Sequence, residues 1–501
     1  MKSFDITALT WSVECENGGE AALRFEPAAD GLRVYLTAAA DAPTFAHIKW
    51  AWRPSDDLRV LGDAWERSYA DLGFLPITEN DRDMPWYFAA ADRHDTLCFG
   101  VRTQPSAFVS FRLDGGGLSA TLDVRSGGCG VRLGGRELCL CEFVLREYPG
   151  ADPVAALAEF CKALCPAPRP VSGPIFGSND WYYAYGDNTG AQILRDAACQ
   201  AELAEGLPAR PYVVIDDGWE LSSCRGPWLP NEKYGDMASL AAKMSDTGVL
   251  PGIWMRPLHN VAPCIPDDWR VPRGGKREYL DPTVPGVQAL IRADIRRIRG
   301  WGFRLLKHDF TTFDLFGDWG RNFTRGAGNC TDWHFADRSR TNAEITLDLY
   351  RLIREEAGDM VVIGCNTISH LSAGVFELQR IGDDTSGRDW ARTRDYGVNT
   401  LAFRLCQHGA FYFADADCVG DVNGAIPWEK NRQWLDLLAL SGTALFVSLP
   451  NMTPREKADV ANAYRRLFEK HDLAPVDILS KTPSRWRLDG EEIVFDWSDP
   501  S

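Results

Sequence analysis

Eight short apolar runs, most of them followed by an amphipathic stretch, fill residues 172 to 472 and constrain the fold more than any other feature. They lie at 175–180, 212–217, 250–256, 303–309, 361–366, 376–383, 410–415 and 444–449. Helical patterns occupy 189–205, 287–299 and 342–357. Apolar runs of this length read as parallel strands buried on both faces. Eight strand–helix units predict a (β/α)8 barrel. The rival, an open doubly wound sheet, usually carries a glycine-rich phosphate loop after an early strand, and no GxGxxG spacing follows the strands here.

The first 150 residues have a different texture. Segments such as Gly31-Leu32-Arg33-Val34-Tyr35-Leu36 and Ala107-Phe108-Val109-Ser110-Phe111-Arg112-Leu113 alternate polar and apolar residues. Turn signals such as Asp114-Gly115-Gly116-Gly117 separate them, which predicts a β-sandwich. The stretch Leu61-Gly62-Asp63-Ala64-Trp65-Glu66-Arg67-Ser68-Tyr69 is too rich in aromatic and charged residues for a plain turn. It reads either as a long loop leaning on the next domain or as a sandwich edge packed on itself. Residues 153–165 have helical spacing, and Pro166-Ala167-Pro168-Arg169-Pro170 reads as a linker. After residue 473, Ser484-Arg485-Trp486-Arg487-Leu488 and Glu492-Ile493-Val494-Phe495-Asp496-Trp497 flank Asp489-Gly490 as a hairpin would. The expected organisation is multidomain, all-β plus α/β: a sandwich over 1–168, a TIM barrel over 169–472 and a short β appendage over 473–501.

The bulk properties exclude some partners. A formal net charge of −16 argues against nucleic acid and against an anionic membrane surface. No apolar run reaches the length of a membrane span, and the start of the sequence shows no leader pattern. The 14 cysteines are scattered without a CxxC pair, which fits free thiols in a reducing cytoplasm. The chain could form a homo-oligomer.

Barrel enzymes place their chemistry at the C-terminal strand ends, and those ends carry a repeated pattern here. Strand one ends in Asn179-Asp180-Trp181, and strand two in Asp216-Asp217-Gly218-Trp219. Strand three carries Trp254 and Arg256, and strand four carries Lys307 and Asp309. Strand five ends at Cys365 and Asn366, strand six runs into Arg380-Ile381-Gly382-Asp383-Asp384, and strand seven into Asp415-Ala416-Asp417. Carboxylates accept hydrogen bonds from hydroxyls, Lys and Arg donate to them, and Trp covers an apolar sugar face. Such a pocket suits a neutral polyol. A site for Mg²⁺ or Ca²⁺ is the alternative, but three cations among the carboxylates, Lys307, Arg256 and Arg380, predict no metal, and no cofactor is expected. No His spacing suggests zinc.

Val214-Ile215-Asp216-Asp217-Gly218-Trp219, Leu306-Lys307-His308-Asp309 and Arg380-Ile381-Gly382-Asp383-Asp384 together resemble the motifs of melibiase-type α-galactosidases, family thirty-six of the glycoside hydrolases, in clan D. The resemblance implies Asp309 as nucleophile and Asp384 as acid/base, with Asp383 as its competitor. It implies Lys307, Arg380, Asp216 and Asp217 as ligands of the sugar hydroxyls, and Trp65 and Arg67 on a sandwich loop reaching over the pocket. Trp181, Trp254, Arg256, Asp180, Cys365 and Asp415 complete the expected substrate-binding set. The implied activity is hydrolysis of a terminal α-galactoside, with retention, by double displacement. The Asp309 charge would raise the Asp384 pKa so that Asp384 can act first as an acid. Some motifs differ from the family's: His308 stands within the KxD triplet, Phe310-Thr311-Thr312 follows it, and Gly364-Cys365-Asn366-Thr367 follows strand five. Another sugar, transfer to an acceptor sugar, or a non-catalytic carbohydrate-binding barrel are the alternatives.

Overall fold

A computed structural model describes residues 4–500 except 53, 54, 56, 78–81 and 115. Gly115 of the predicted turn and Met1, Lys2 and Ser3 of the predicted start therefore lie outside the described residues.

Two antiparallel sheets form the N-terminal sandwich, as the alternation predicts. The five-stranded sheet runs in the order Leu9–Cys15, Pro43–Trp50, Gly117–Asp123, Phe108–Asp114 and Met84–Pro85. The seven-stranded sheet is centred on Asp95–Val101, which pairs with the long strand Leu138–Pro149. Aromatic rings fill the space between them: Trp50 meets Phe99 and Phe143 edge-on, with centroids 5.4 and 5.5 Å apart. Along Leu138–Pro149 the alternation slips at a bulge between Cys139 and Cys141. Leu140 and Cys141 are consequently both buried, where a regular strand would alternate. All 14 cysteines are free thiols.

The helix Pro153–Leu164, capped by Asp152, leads into the proline-rich linker. The linker is pinned to the barrel, because Arg169 pairs with Glu377. The barrel itself is a closed parallel sheet. Its strands are β1 (Phe176–Asn179), β2 (Tyr212–Ile215), β3 (Leu250–Met255), β4 (Leu305–His308), β5 (Val361–Gly364), β6 (Leu378–Arg380), β7 (Phe413–Gly420) and β8 (Ala444–Ser448). Phe176 of β1 pairs with Leu445 of β8 and closes the circle. Most strands are shorter than their apolar runs because the polar ends turn into loops. β7 is longer, carried on by a bulge between Asp415 and Cys418.

The helix Asn342–Ala357 has the limits its sequence predicts, with Thr341 and Glu344 forming a capping box. After β5 the helix shrinks to Ser369–Ser372, and the sandwich packs where a longer helix would stand. Trp86 stacks on His370 at 5.1 Å. The C-terminal hairpin pairs Arg485–Leu488 with Glu491–Val494, and Leu473–Pro475 adds a third strand. Asp489 and Gly490 both have positive φ, the turn that the pair predicts. Among the described residues no helix is long and apolar enough to cross a membrane.

The sandwich and barrel are locked by a buried ion pair. Arg404 donates to both carboxylate oxygens of Asp63, at 2.8 and 3.2 Å. The same guanidinium donates to the carbonyls of Glu66 and Ile381 at 2.6 and 2.8 Å. Arg404 therefore grips the start of the 61–69 stretch and the loop after β6 together. Ser68 continues the contact, donating its N–H to the Ile381 carbonyl at 3.0 Å. The stretch is thus a loop that leans on the barrel, one of its two predicted alternatives.

Candidate active site

A pocket of about 330 Å³ opens at the C-terminal ends of the barrel strands. Ten of the predicted residues line it: Asp216, Asp217, Trp181, Trp254, Lys307, Asp309, Cys365, Arg380, Asp384 and, from the sandwich, Arg67.

Asp309 follows directly on β4. The next residue, Phe310, is held at φ 63°, a left-handed conformation uncommon outside glycine. That turn aims the Phe310 N–H back at Asp309 Oδ1, 2.7 Å away. Trp254 Nε1 donates to the other oxygen at 3.2 Å. Asn366 supplies a third donor when its amide nitrogen faces Asp309; its oxygen then accepts from Arg67 Nη2 and Nε at 2.9 and 3.0 Å. Three donors fix a carboxylate in one orientation.

Asp384 stands on the loop after β6. Its Oδ1 accepts from Arg380 at 2.9 Å and from Arg67 at 3.3 Å. Gly382 allows this loop to pass, since a Cβ there would run into the Tyr396 carbonyl oxygen. Asp383, the competing residue, pairs with Arg67 at 3.2 Å and Arg392 at 3.4 Å and does not line the pocket. A chain of contacts therefore joins the two carboxylates: Asp309, Asn366, Arg67, Asp384.

The opposite wall is a network of Asp216. Lys307 Nζ and Asn179 Nδ2 both donate to Asp216 Oδ2, at 2.6 and 2.7 Å. Asp216 Oδ1 accepts the Asp217 N–H at 2.9 Å, and Asp217 Oδ1 accepts the Cys224 N–H at 2.8 Å. Burial, the largest single influence, would lower the Lys307 pKa, but Asp216, Cys365 and Asp309 beside it together outweigh this, and Lys307 stays firmly protonated.

The electrostatics overturn one expectation. Burial pushes the Asp384 pKa upward, but Arg380, Arg67, Lys307 and Arg392 together hold it below the usual carboxylate value. The sequence predicts a raised pKa because it shows the Asp309 charge. The resemblance places Arg67 over the pocket, but the sequence does not show that its guanidinium meets the Asp384 carboxylate, 317 positions further along the chain.

Four predicted residues miss the pocket. Trp65 is buried at the domain junction, its ring edge-on to Trp86 at 5.0 Å. Arg256 is neutralised by Asp314 at 2.6 Å, behind the face of Phe310. Asp180 accepts the Asp216 N–H at 2.7 Å from beneath, and burial, then Asp216, raise its pKa to about 7. Asp415 sits deeper in the barrel with Asn179, Lys307 and Arg380. The bulge in β7 hands the pairing with Arg380 to Asp417, at 2.8 Å.

The sequence reading left five lining residues out of the expected set: Tyr182, Cys224, Phe310, Trp319 and Asn366. Tyr182 bridges the site, donating to Asp417 Oδ2 and accepting from Arg380 Nη2 at 3.3 Å. Trp319 had a signal, an aromatic between two glycines in a loop after β4. Among the described residues no group of three or more His, Cys, Asp or Glu is arranged to hold a metal ion.

A (β/α)8 barrel carrying an N-terminal β-sandwich and a carboxylate-lined pocket at its C-terminal rim is the architecture that the chain defines. Solved structures of α-galactosidases have the same fold. An α-galactosidase from Thermus thermophilus in complex with p-nitrophenyl α-D-galactopyranoside is similar at TM-score 0.63 and 18% identity, over 96% of this chain and 99% of that one. A family-thirty-six α-galactosidase from Geobacillus stearothermophilus in complex with 1-deoxygalactonojirimycin gives TM-score 0.58 and 15% identity, over 95% of this chain and 79% of that one. The galactosidase domain of an α-galactosidase–sucrose kinase gives TM-score 0.58 and 16% identity, over 97% and 76%. At such identities the likeness is one of fold. No protein-family model matches the chain, and no curated protein matches it by sequence.

Proposed function

We propose that the protein is a retaining α-glycoside hydrolase acting on terminal α-galactosides. The observation that carries this reading is the pairing of Asp309 and Asp384 in one pocket, joined through Asn366 and Arg67. Two carboxyl groups flanking one bond are what glycoside hydrolysis requires. The Asp216–Lys307 pair and Asp217 offer fixed acceptors and a donor to sugar hydroxyls, and Trp181, Trp254 and Trp319 offer apolar faces.

In this mechanism Asp309 attacks the anomeric carbon from one face while Asp384 gives a proton to the leaving oxygen. Asp384 must first gain that proton against the pull of Arg380 and Arg67. A sugar hydroxyl accepting from Arg380 would draw the guanidinium off Asp384, and the bound sugar would exclude water. Both changes raise the Asp384 pKa. After glycosyl transfer, Asp384 takes a proton from water, which attacks the anomeric carbon and frees Asp309. Hydrolysis of p-nitrophenyl α-D-galactopyranoside, compared with the α-glucoside, α-N-acetylgalactosaminide and β-galactoside, tests the reading. Release of nitrophenol from the α-galactoside alone supports it, and no release from any α-glycoside counts against it.

A further inference from the structure

Glu220 has no part in the chemistry above, yet it is buried directly behind Asp217. The Cys224 N–H is shared between the two carboxyl groups, 2.8 Å from Asp217 Oδ1 and 2.6 Å from Glu220 Oε1. Glu220 Oε2 accepts the Gly218 N–H at 3.2 Å. The two side chains thus lie within one donor's reach of each other. Two ionised carboxylates repel strongly in so dry a place, whereas one proton between them makes a hydrogen bond.

The neighbours offer no other compensation. Arg256 is engaged with Asp314 and, at 3.2 Å, with Cys224 Sγ. Lys233 donates to the Gly186 carbonyl at 2.8 Å. Tyr234, Asp216 and Asp180 add a phenol and two carboxyl groups to the same side. The Cys224 thiol is pushed up to about 12 by burial and is neutral. Among the described residues no Lys or Arg forms an ion pair with Glu220.

We propose that Glu220 is a positioning residue that keeps its proton and donates it to Asp217. On the proposed reading of the pocket, this holds Asp217 in one orientation toward the sugar hydroxyls and ties down the Cys224 loop that lines the pocket. Burial, and then Asp217, push the Glu220 pKa up to about 9. Below that pH the pair shares a proton. Above it, two charges face each other and sugar binding weakens.

The proton has a second consequence, in stability. An unfolded Glu titrates near about 4.3. Between there and about 9 the native chain holds one proton more than the unfolded chain, so this group makes stability fall as pH rises through that window. Glu220→Gln keeps the donor and removes the titration.

The test measures KM for p-nitrophenyl α-D-galactopyranoside from pH 6 to 9.5, and thermal midpoints over the same range, for the wild type, Glu220→Gln and Glu220→Ala. Glu220→Gln should keep its KM at neutral pH, lose the rise in KM above about pH 8.5, and lose less stability than the wild type on going alkaline. Glu220→Ala should raise KM about three- to tenfold at every pH, with less effect on kcat. A Glu220→Gln KM that rises in parallel with the wild type overturns the proposal, and so does one already raised severalfold at pH 7. If no α-galactoside is turned over, the functional reading fails by itself. The melting curves then decide whether Glu220 carries its proton: equal pH slopes for the wild type and Glu220→Gln overturn the proposal.

Discussion

Arg67, carried by the sandwich, donates to Asp384, carried by the barrel, across 3.3 Å. The same guanidinium reaches Asn366, the residue that donates to Asp309. The pocket is therefore finished by a residue from outside the barrel, and both candidate catalytic carboxylates depend on it.

Replacing Arg67 by Gln removes one cation from beside Asp384. With less stabilisation of the carboxylate, the Asp384 pKa rises. The alkaline limb of the kcat/KM profile should move to higher pH, and KM should rise because the wall loses a donor. An unchanged limb would mean that Asp384 does not set it.

Asp309→Asn should lower turnover on the order of 10⁴-fold or more, with sugar binding retained in a calorimetric titration. Asp384→Ala should lose far less with a nitrophenyl leaving group, which needs little acid assistance, and should accumulate a glycosyl-enzyme visible by mass spectrometry. If Asp383→Ala shows that behaviour in its place, the acid/base role belongs to Asp383.

The Arg404–Asp63 pair predicts a stability effect. Both side chains are buried, and Asp63 also accepts from Gln407 Nε2 at 3.0 Å. Breaking a buried pair leaves the partner's charge without compensation and costs about 3–5 kcal/mol. Arg404→Met should lower the denaturant midpoint accordingly, and Asp63→Asn by less, because an amide still accepts. Equal and small effects would contradict the view that this pair locks the sandwich to the barrel.

His308 gives a pH prediction for stability. Among the described residues neither ring nitrogen has a partner, the ring is packed against Phe376 at 4.9 Å, and burial lowers its pKa to about 3. The unfolded residue takes a proton near about pH 6.5. Between pH 6.5 and 3 the unfolded chain therefore binds the extra proton, and stability is lost as pH falls. His308→Phe should show a shallower loss of the thermal midpoint across that window. An equal slope in both proteins would contradict the assignment.

Much of this was legible in the sequence, for a physical reason. Barrel strands are short apolar runs, and their polar ends are where the site must be, so Lys307, Asp309, Arg380 and Asp384 could be named without coordinates. Thr341 and Glu344 likewise announce their helix locally. What failed was long-range. Nothing near Arg256 says that Asp314 will neutralise it, and the bulge that substitutes Asp417 for Asp415 has no marker in the sequence. Trp65 has the residue type of a pocket wall but packs in an aromatic cluster with Trp86 and Phe108. Trp319 and Asn366 lie on loops beyond the strand ends; Thr311 and Thr312 of the barrel hold the Asn366 carbonyl, and Arg67 of the sandwich meets its amide.

The stereochemistry of the first product tests the account most directly. Proton NMR during early turnover of p-nitrophenyl α-D-galactopyranoside, before mutarotation, reads which anomer of galactose leaves the enzyme. Attack by Asp309, then by water, inverts the centre twice, so α-galactose should appear first. If β-galactose appears first, a single displacement by water has occurred and Asp309 is not the nucleophile.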